Sequence, residues 1–294
     1  MSVLTIKNLS KSYGKIQALQ DLSLEINEGE VYGILGPNGS GKTTTLGIIL
    51  GILSADSGSY TWFDGKYGAG HRKRIGAILE TPNFYPYKTA EDNLSIISHI
   101  KGVKTDNYDE LLELVNLAHR KKSAFRTYSL GMKQRLAIAA TMIGDPDVII
   151  FDEPTNGLDP QGIAEVRQTL TKIADSGKTV IMASHILDEV EKICSHVAII
   201  KNGHLLATGS VGSILSDDIT VELQSEDMAS LHSFVQTVPW ISKSKQVDDR
   251  IEALMENTHS VAEINKLAFD KGVILTHLVA RKQRLEEEFL EITK

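Results

Sequence analysis

The stretch Gly36-Pro37-Asn38-Gly39-Ser40-Gly41-Lys42-Thr43 matches the pattern G-x-x-x-x-G-K-[ST]. It stands between an apolar run typical of a strand, Val31 to Leu35, and an apolar segment of helical length. Its glycines allow successive backbone N–H groups to curl around phosphate oxygens, and a following helix N-terminus adds partial positive charge. Lys42 would neutralise β- and γ-phosphates, and the hydroxyl of Thr43 suits Mg²⁺. A glycine-rich turn beside a core helix is the alternative, but the strand-loop-helix order favours a phosphate-binding loop that extends to Thr44.

A second candidate site follows the apolar run Val148-Ile149-Ile150-Phe151, which ends on Asp152 and Glu153. The run is typical of a buried parallel strand, and ligands bind at the carboxyl edge of such sheets. Asp152 is then placed to hold Mg²⁺, and Glu153 to orient or deprotonate an attacking water. Two solvated acids at a strand end are the alternative interpretation. The phosphate-binding loop elsewhere in the chain favours the catalytic one.

The rest of the first two thirds of the chain alternates predicted strands with predicted helices. Strands are predicted near the N-terminus and again at Thr179 to Ala183 and His196 to Ile200, with a helix from Ile163 to Ala174. The segment from Ala90 to Met142 is mostly helical in pattern, and the helix after the phosphate-binding loop is expected to run from Thr43 to Leu53. This order predicts an α/β protein with a helical insertion.

The pattern changes near Ser213 to Asp218, and a small second α/β unit is predicted beyond it. Its expected strands and helices alternate, and the boundary is placed at residues 215/216. The strands are Ile219 to Leu223, Gln246 to Leu254 and Val273 to Val279, and the helices are Met228 to Val238, Ser260 to Lys271 and Arg284 to Ile292.

Composition excludes several classes of protein. The 294 residues are 41% hydrophobic and 23% charged with a net charge of −7, which is typical of a soluble globular chain. A single cysteine, Cys194, rules out an internal disulfide framework and suits a small buried side chain. No signal peptide is visible, and the uncharged stretch Thr43 to Ala55 is too short to span a bilayer. Mild acidity argues against a non-specific nucleic-acid binder.

A third motif, Tyr128-Ser129-Leu130-Gly131-Met132-Lys133-Gln134-Arg135-Leu136, precedes the carboxylate strand and opens a helix. Together with the first two motifs, this motif makes the chain resemble the nucleotide-binding subunits of ATP-binding-cassette (ABC) transporters. The resemblance covers about Leu4 to Leu215. The third motif is similar to the family's signature motif, with Leu130 and Met132 replacing a glycine and a glutamine. The resemblance implies that Ser129 and Gly131 contact the γ-phosphate bound by the opposite subunit. A helix cap by Ser129 is the alternative.

The same resemblance assigns three further positions. Gly157-Leu158-Asp159-Pro160 is similar to the family's D-loop, whose aspartate, here Asp159, helps to couple two sites across a dimer. His185 matches the switch histidine, whose neutral ring could bridge γ-phosphate and water. Tyr13 matches the aromatic residue that stacks on adenine. Without the resemblance, His185 would be a structural histidine at a strand end and Tyr13 a surface tyrosine in a turn.

Glu80 stands where most members of the family have glutamine. A glutamate keeps an oxygen ligand for Mg²⁺, loses the amide donor and adds negative charge beside the γ-phosphate. Glu80 is followed by the aromatic loop Phe84-Tyr85-Pro86-Tyr87. In these two features the chain is similar to the bacitracin-resistance and lantibiotic-immunity branch of bacterial exporters. In the family this loop receives a helix of the membrane subunit, although the aromatic residues could equally form a local core.

The resemblance implies a P-loop NTPase (RecA-like) core with an antiparallel β subdomain and a helical subdomain at about 88–143. These make an ATP-binding domain at 1–215, followed by a small C-terminal α/β domain at 216–294. It further implies an ATPase that uses ATP and Mg²⁺ and pairs with a second ATP-binding subunit, expected to be an identical copy. This pair would power a separate multi-span permease, and no nucleic acid is expected as a partner. The chain would then be cytoplasmic, at the inner face of the cell membrane.

Two other classes of function fit the sequence less well. A translation or repair ATPase of the same family is disfavoured by the single cassette and the lack of a charged linker or long coiled coil. A GTPase or small-molecule kinase is disfavoured because Asn265-Lys266 is followed by Leu267-Ala268, which does not fit the guanine-reading N-K-x-D. The charge is also uneven: from Asp217 onward the chain has 15 acidic and 9 basic residues, so −6 of the −7 belongs to the C-terminal part.

Overall fold

The computed structural model describes residues 1–79, 83–104, 108–214, 219–256, 258–282 and 289. The chain divides between Val211 and Gly212 into two compact units, called here the first and the second unit. Positions 215–218, where the sequence predicts the boundary, lie outside the described residues, as do Glu80 and all but residue 289 of the predicted helix Arg284 to Ile292.

A six-stranded sheet in the order β5-β6-β7-β3-β8-β9 forms the centre of the first unit. Its strands pair in parallel except for β9, which pairs antiparallel with β8. The middle strands are buried on both faces, which explains their continuous apolar sequences. The strands are β3 (Val31–Leu35), β5 (Ile75–Ile78), β6 (Val148–Asp152), β7 (Thr179–Ser184), β8 (His196–Lys201) and β9 (His204–Ser210).

An antiparallel sheet in the order β2-β1-β4 shares a hydrophobic core with the central sheet. Its two long strands, β1 (Ser2–Tyr13) and β2 (Ile16–Asn27), form a hairpin through Gly14, and β4 (Ser57–Trp62) pairs with the other side of β1. Helix α1 (Lys42–Ile49) packs between the two sheets. It is shorter than predicted, because Gly51 adopts a left-handed φ of 70° just after its end.

Between β5 and β6 the chain is helical, as predicted. The helices are α2 (Ala90–Lys101), α3 (Tyr108–Leu114) and α4 (Leu130–Thr141). A capping box of Thr89 and Asp92 starts α2, and the Ser129 hydroxyl caps α4. Helices α5 (Pro160–Asp175) and α6 (Leu187–Ile193) follow β6 and β7, and α7 (Val211–Ile214) follows β9. Cys194 is buried at the end of α6, and burial raises the pKa of its thiol to about 12.

The second unit is a four-stranded antiparallel sheet in the order β11-β12-β10-β13 with two helices. The chain order is β10 (Ile219–Ser225), α8 (Met228–Gln236), β11 (Ile241–Val247), β12 (Arg250–Met255), α9 (Val261–Asp270) and β13 (Leu275–Lys282). This βαββαβ order with β10 and β12 in the middle is the ferredoxin-like arrangement. The apolar side chains of alternate strand positions pack with the helices in one core.

The sequence-based prediction of a single strand from Gln246 to Leu254 is wrong. The chain reverses at Asp248 and Asp249, so the alternating pattern belongs to the two strands of a hairpin. Asp248 has a left-handed φ of 51°, which Asp tolerates better than most residues. In the described ranges, no helix combines the length and apolar character that a bilayer crossing requires.

Candidate nucleotide-binding and catalytic site

The predicted phosphate-binding loop connects β3 to α1, at the carboxyl edge of the central sheet. Gly39 and Gly41 adopt left-handed φ values of 79° and 112°. A Cβ on Gly36 would lie 2.2 Å from the Ile200 carbonyl oxygen, so no larger residue fits there without a shift. The Ser40 hydroxyl is buried and has no hydrogen-bond partner in the described part of the chain. Glycine backbone and a buried free hydroxyl suit a loop that wraps an anion.

Lys42, the first residue of α1, turns its ammonium back into this loop. The Nζ donates to the carbonyl oxygens of Gly36 at 2.8 Å and Pro37 at 3.2 Å. It also lies 3.3 Å from Oε1 of Glu153. With 5% of its surface exposed, Lys42 is a buried cation at the point where the sequence predicts phosphate to bind.

Asp152 and Glu153 both face the phosphate-binding loop. Asp152 ends β6, and its Oδ2 accepts a hydrogen bond of 2.7 Å from the Thr43 hydroxyl. Glu153 reaches the same side because its backbone leaves the strand with a left-handed φ of 50°, while its amide still donates to Ala183 at 3.0 Å. Adjacent carboxylates that would alternate within a strand are thereby brought together. A hydroxyl beside a carboxylate is a hard-oxygen donor set that fits Mg²⁺.

His185 immediately follows β7, the neighbour of β6 in the sheet. Its Nδ1 lies 2.7 Å from Oε2 of Glu153. The two oxygens of Glu153 therefore contact a cation on one side and an imidazole on the other. Lys42, Glu153 and His185 form one connected group at the sheet edge.

Ser129, Gly131 and Asp159 lie elsewhere, at the N-termini of α4 and α5. Ser129 accepts from the Met132 amide at 3.3 Å, and Asp159 accepts from the Gly162 amide at 2.9 Å, so both act as helix caps. The two helix starts meet closely, since a Cβ on Gly131 would lie 3.6 Å from the Gly162 Cα. Among the described residues, no hydrogen bond or ion pair joins these three to the phosphate-binding loop.

Several of the predicted positions that the structure describes are at the surface. Tyr13 is 46% exposed at the end of β1, with the Lys11 ammonium 5.6 Å from its ring centroid. Pro37, Asn38 and Thr43 are exposed, and Thr44 is half-buried. Glu80 lies outside the described residues.

The aromatic loop divides between the two interpretations left open by the sequence. Phe84 packs on Phe125 with ring centroids 5.0 Å apart, so it belongs to a local core. Tyr85 and Tyr87 are 61% and 81% exposed. Exposed aromatic side chains of this kind are available to a partner.

Sequence reasoning missed two polar residues beside the site. Thr155 and Glu189 are both buried and joined by a hydrogen bond from the Thr155 hydroxyl to the Glu189 carboxylate. The sequence offers little to single out Glu189, because it stands next to Asp188 in the first turn of α6, where exposed acids are common.

Comparisons with known proteins agree with this geometry. The family model described as "ABC transporter" matches residues 19–156. The ABC transporter ATP-binding protein YhcH of Bacillus subtilis is 37% identical over 99% of this chain and 96% of its own length. The bacitracin transport ATP-binding protein BcrA of Enterococcus faecalis is 31% identical over 99% and 96%. The lantibiotic transport ATP-binding protein SrtF of Streptococcus pyogenes is 39% identical over 69% and 89%.

A solved structure leads to the same family. The protein cbiO1 of Clostridium perfringens, part of the ABC transporter complex cbiONQ, superposes with a TM-score of 0.65 at 28% identity. It covers 72% of this chain and 90% of its own. Together with the α/β core and the phosphate-binding loop, these similarities confirm the predicted P-loop NTPase fold. The chain belongs to the ATP-binding subunits of ABC transporters, and it binds and hydrolyses ATP.

Proposed function

We propose that this chain works as one of two ATP-binding subunits that close head to tail around two ATP molecules and drive export through a separate membrane-spanning permease. The observation that carries the proposal is the placement of Glu153 between Lys42 and His185 at the carboxyl edge of the sheet. A carboxylate held there lies beside the loop that takes the phosphates. It is therefore suited to act on a water next to the γ-phosphate.

Thr43 and Asp152 are proposed to hold Mg²⁺, because their oxygens already share a hydrogen bond of 2.7 Å. When bound, the metal ion would neutralise charge on the phosphate oxygens. Glu80 remains a sequence-based expectation as a third oxygen ligand.

Glu153 is proposed as the general base that receives a proton from the attacking water. His185, hydrogen-bonded to the other oxygen of the same carboxylate, orients it and contacts the γ-phosphate. Lys42 offsets the growing negative charge. The three roles follow from one connected group of side chains.

The caps at α4 and α5 support the proposed dimer. Ser129 and Gly131 begin α4 with N–H groups that can receive the γ-phosphate bound by the partner, and Asp159 begins α5 beside them. Since no hydrogen bond or ion pair joins them to the loop of their own chain in the described residues, a second subunit would bring them to ATP. Tyr13, exposed at the end of β1, is proposed to stack on adenine.

Export of an antimicrobial peptide is the proposed transport function. It is supported by the similarity to proteins named for bacitracin and lantibiotic transport. The exposed Tyr85 and Tyr87 are proposed to meet the permease, which would hold the chain at the inner face of the cell membrane.

The test is Glu153→Gln in the purified full-length chain, with Asp188→Asn as control because Asp188 is an exposed acid paired with Lys192. The glutamine variant is expected to bind ATP normally, to lose hydrolysis by at least about 100-fold and to accumulate a closed dimer. The control is expected to hydrolyse at the wild-type rate. A Glu153→Gln variant that turns over normally would refute the assignment of the base.

A further inference from the structure

Two contacts join the segments that follow β6 and β7 at the edge of the central sheet. The first is Glu153 with His185, at 2.7 Å. The second is the hydrogen bond from Thr155 to Glu189, two and four residues further along. Because β6 and β7 are adjacent parallel strands, the two contacts are successive cross-links between the segments that leave them.

The second cross-link is costly in a way that simple packing does not explain. Glu189 is 1% exposed and Thr155 is 2% exposed. Burial raises the pKa of Glu189, against the opposing effects of the Thr155 hydrogen bond and the charge of Arg167. Its Oε1 has no hydrogen-bond partner in the ranges the structure describes. An apolar side chain would avoid this cost, so packing alone does not account for a carboxylate at this position.

The segment held by Thr155 is a strained turn. Glu153 has a φ of 50°, which is unfavourable for a residue with a Cβ and persists only where its surroundings hold it. Within the turn, the Glu153 carbonyl accepts from the Asn156 amide at 3.1 Å. Thr155 lies inside this turn, so its side-chain anchor restrains the backbone that carries Glu153.

We propose that Glu189 is a positioning residue for ATP hydrolysis: by holding Thr155 it keeps the turn closed, and the Glu153 carboxylate stays against His185. The inference rests on the proposed role of Glu153. Glu189 acts through Thr155, and its effect belongs to the hydrolysis step, since Lys42 and the phosphate-binding loop are carried by other segments.

The test compares Glu189→Met, Thr155→Val and Glu189→Gln with Thr169→Val. Methionine removes the acceptor and leaves no buried charge, whereas glutamine keeps an oxygen for Thr155. Thr169 is a matched control, because its hydroxyl is also buried in the first unit but donates to the Glu165 carbonyl within α5. Steady-state ATP hydrolysis, which gives kcat and KM, and ATP affinity are measured for each full-length variant.

Glu189→Met and Thr155→Val are expected to lower kcat by at least about 10-fold at unchanged ATP affinity and KM, as for a misplaced catalytic group. Glu189→Gln is expected to stay within about 3-fold of wild type, like Thr169→Val. The double variant Glu153→Gln with Glu189→Met should be no slower than Glu153→Gln alone, because both changes act on one group.

Three results would overturn the inference: wild-type kcat in Glu189→Met, a parallel loss of ATP affinity, or a double variant slower than Glu153→Gln. If Glu153→Gln is inactive while Glu189→Met is normal, only this inference fails. If Glu153→Gln itself is normal, the proposed base and the inference fail together.

Discussion

The two units bury different kinds of side chain. Among its described residues, the first unit buries four charged side chains, those of Lys42, Arg135, Asp152 and Glu189. The described residues of the second unit bury none, and their buried polar side chains are Thr220 and Ser225. Buried charge is expensive unless it is paired, so the buried charges described in the first unit mark where the fold gives up stability for another purpose.

The sheets of the two units also differ in where their charged side chains lie. In the first unit, parallel strands end together at one edge, and three of the four buried charges lie at or beside it. In the second unit, antiparallel strands keep their ion pairs exposed or half-exposed, such as Glu222 with Arg250 and Glu252 with Lys245. We therefore expect the nucleotide chemistry to take place in the first unit, whereas the charged side chains in the described sheet of the second unit remain accessible to water.

The largest expected effect comes from making the same core cavity in both units. Phe151→Ala and Phe234→Ala each remove a buried ring, at an expected cost of about 3–5 kcal/mol in the free energy of unfolding of their own unit. Phe151 directly precedes Asp152, so its loss should also weaken ATP binding. Phe234→Ala should leave ATP affinity unchanged.

Thermal unfolding with and without MgATP, together with nucleotide titration, measures both effects. The contrast between the units would be broken if Phe234→Ala weakened ATP binding as much as Phe151→Ala does.

A smaller effect distinguishes the units by the sign of their pH dependence. Burial raises the pKa of Glu189 above its usual 4.5, so wild type loses stability as pH rises from that value through the raised pKa. Glu189→Gln carries no titrating group there and should gain stability relative to wild type over this range. The hydrogen bond from Lys245 lowers the pKa of Glu252. The contribution of Glu252 to the free energy of unfolding is therefore present above its usual pKa, and it is lost as pH falls through the lowered pKa.

Glu252→Gln should therefore lower the free energy of unfolding by about 1 kcal/mol or less near neutral pH. On acidification, the stability of this variant should approach that of wild type. Denaturant titrations from about pH 4 to pH 8 measure both variants. Slopes of the same sign for the two substitutions would contradict the assigned environments.

Much of the first unit could be predicted from the sequence, because its signals are local. The loop ending at Lys42 and Thr43 has a restrictive pattern, and buried parallel strands such as β6 are continuous apolar runs. The α/β core, the helical insertion and the ATP-binding family were all predicted correctly. His185 and Ser129 were placed only through the resemblance, since one histidine or one serine has many structural uses.

What could not be predicted depends on contacts distant in sequence. The hairpin at Asp248 is hidden because its strand alternation continues through the turn. Glu189 and the exposed Asp188 are adjacent acids in one helical turn, and only packing against Thr155 separates the buried one from its neighbour. The left-handed backbone of Glu153 is likewise set by the sheet edge around it.

The most direct test of the central claim is hydrogen–deuterium exchange of the full-length chain with and without MgATP. The account predicts slower exchange in the phosphate-binding loop and in the segments that carry Glu153 and His185, with the sheet of the second unit unchanged. Protection centred on the second unit, or none at the phosphate-binding loop, would contradict it.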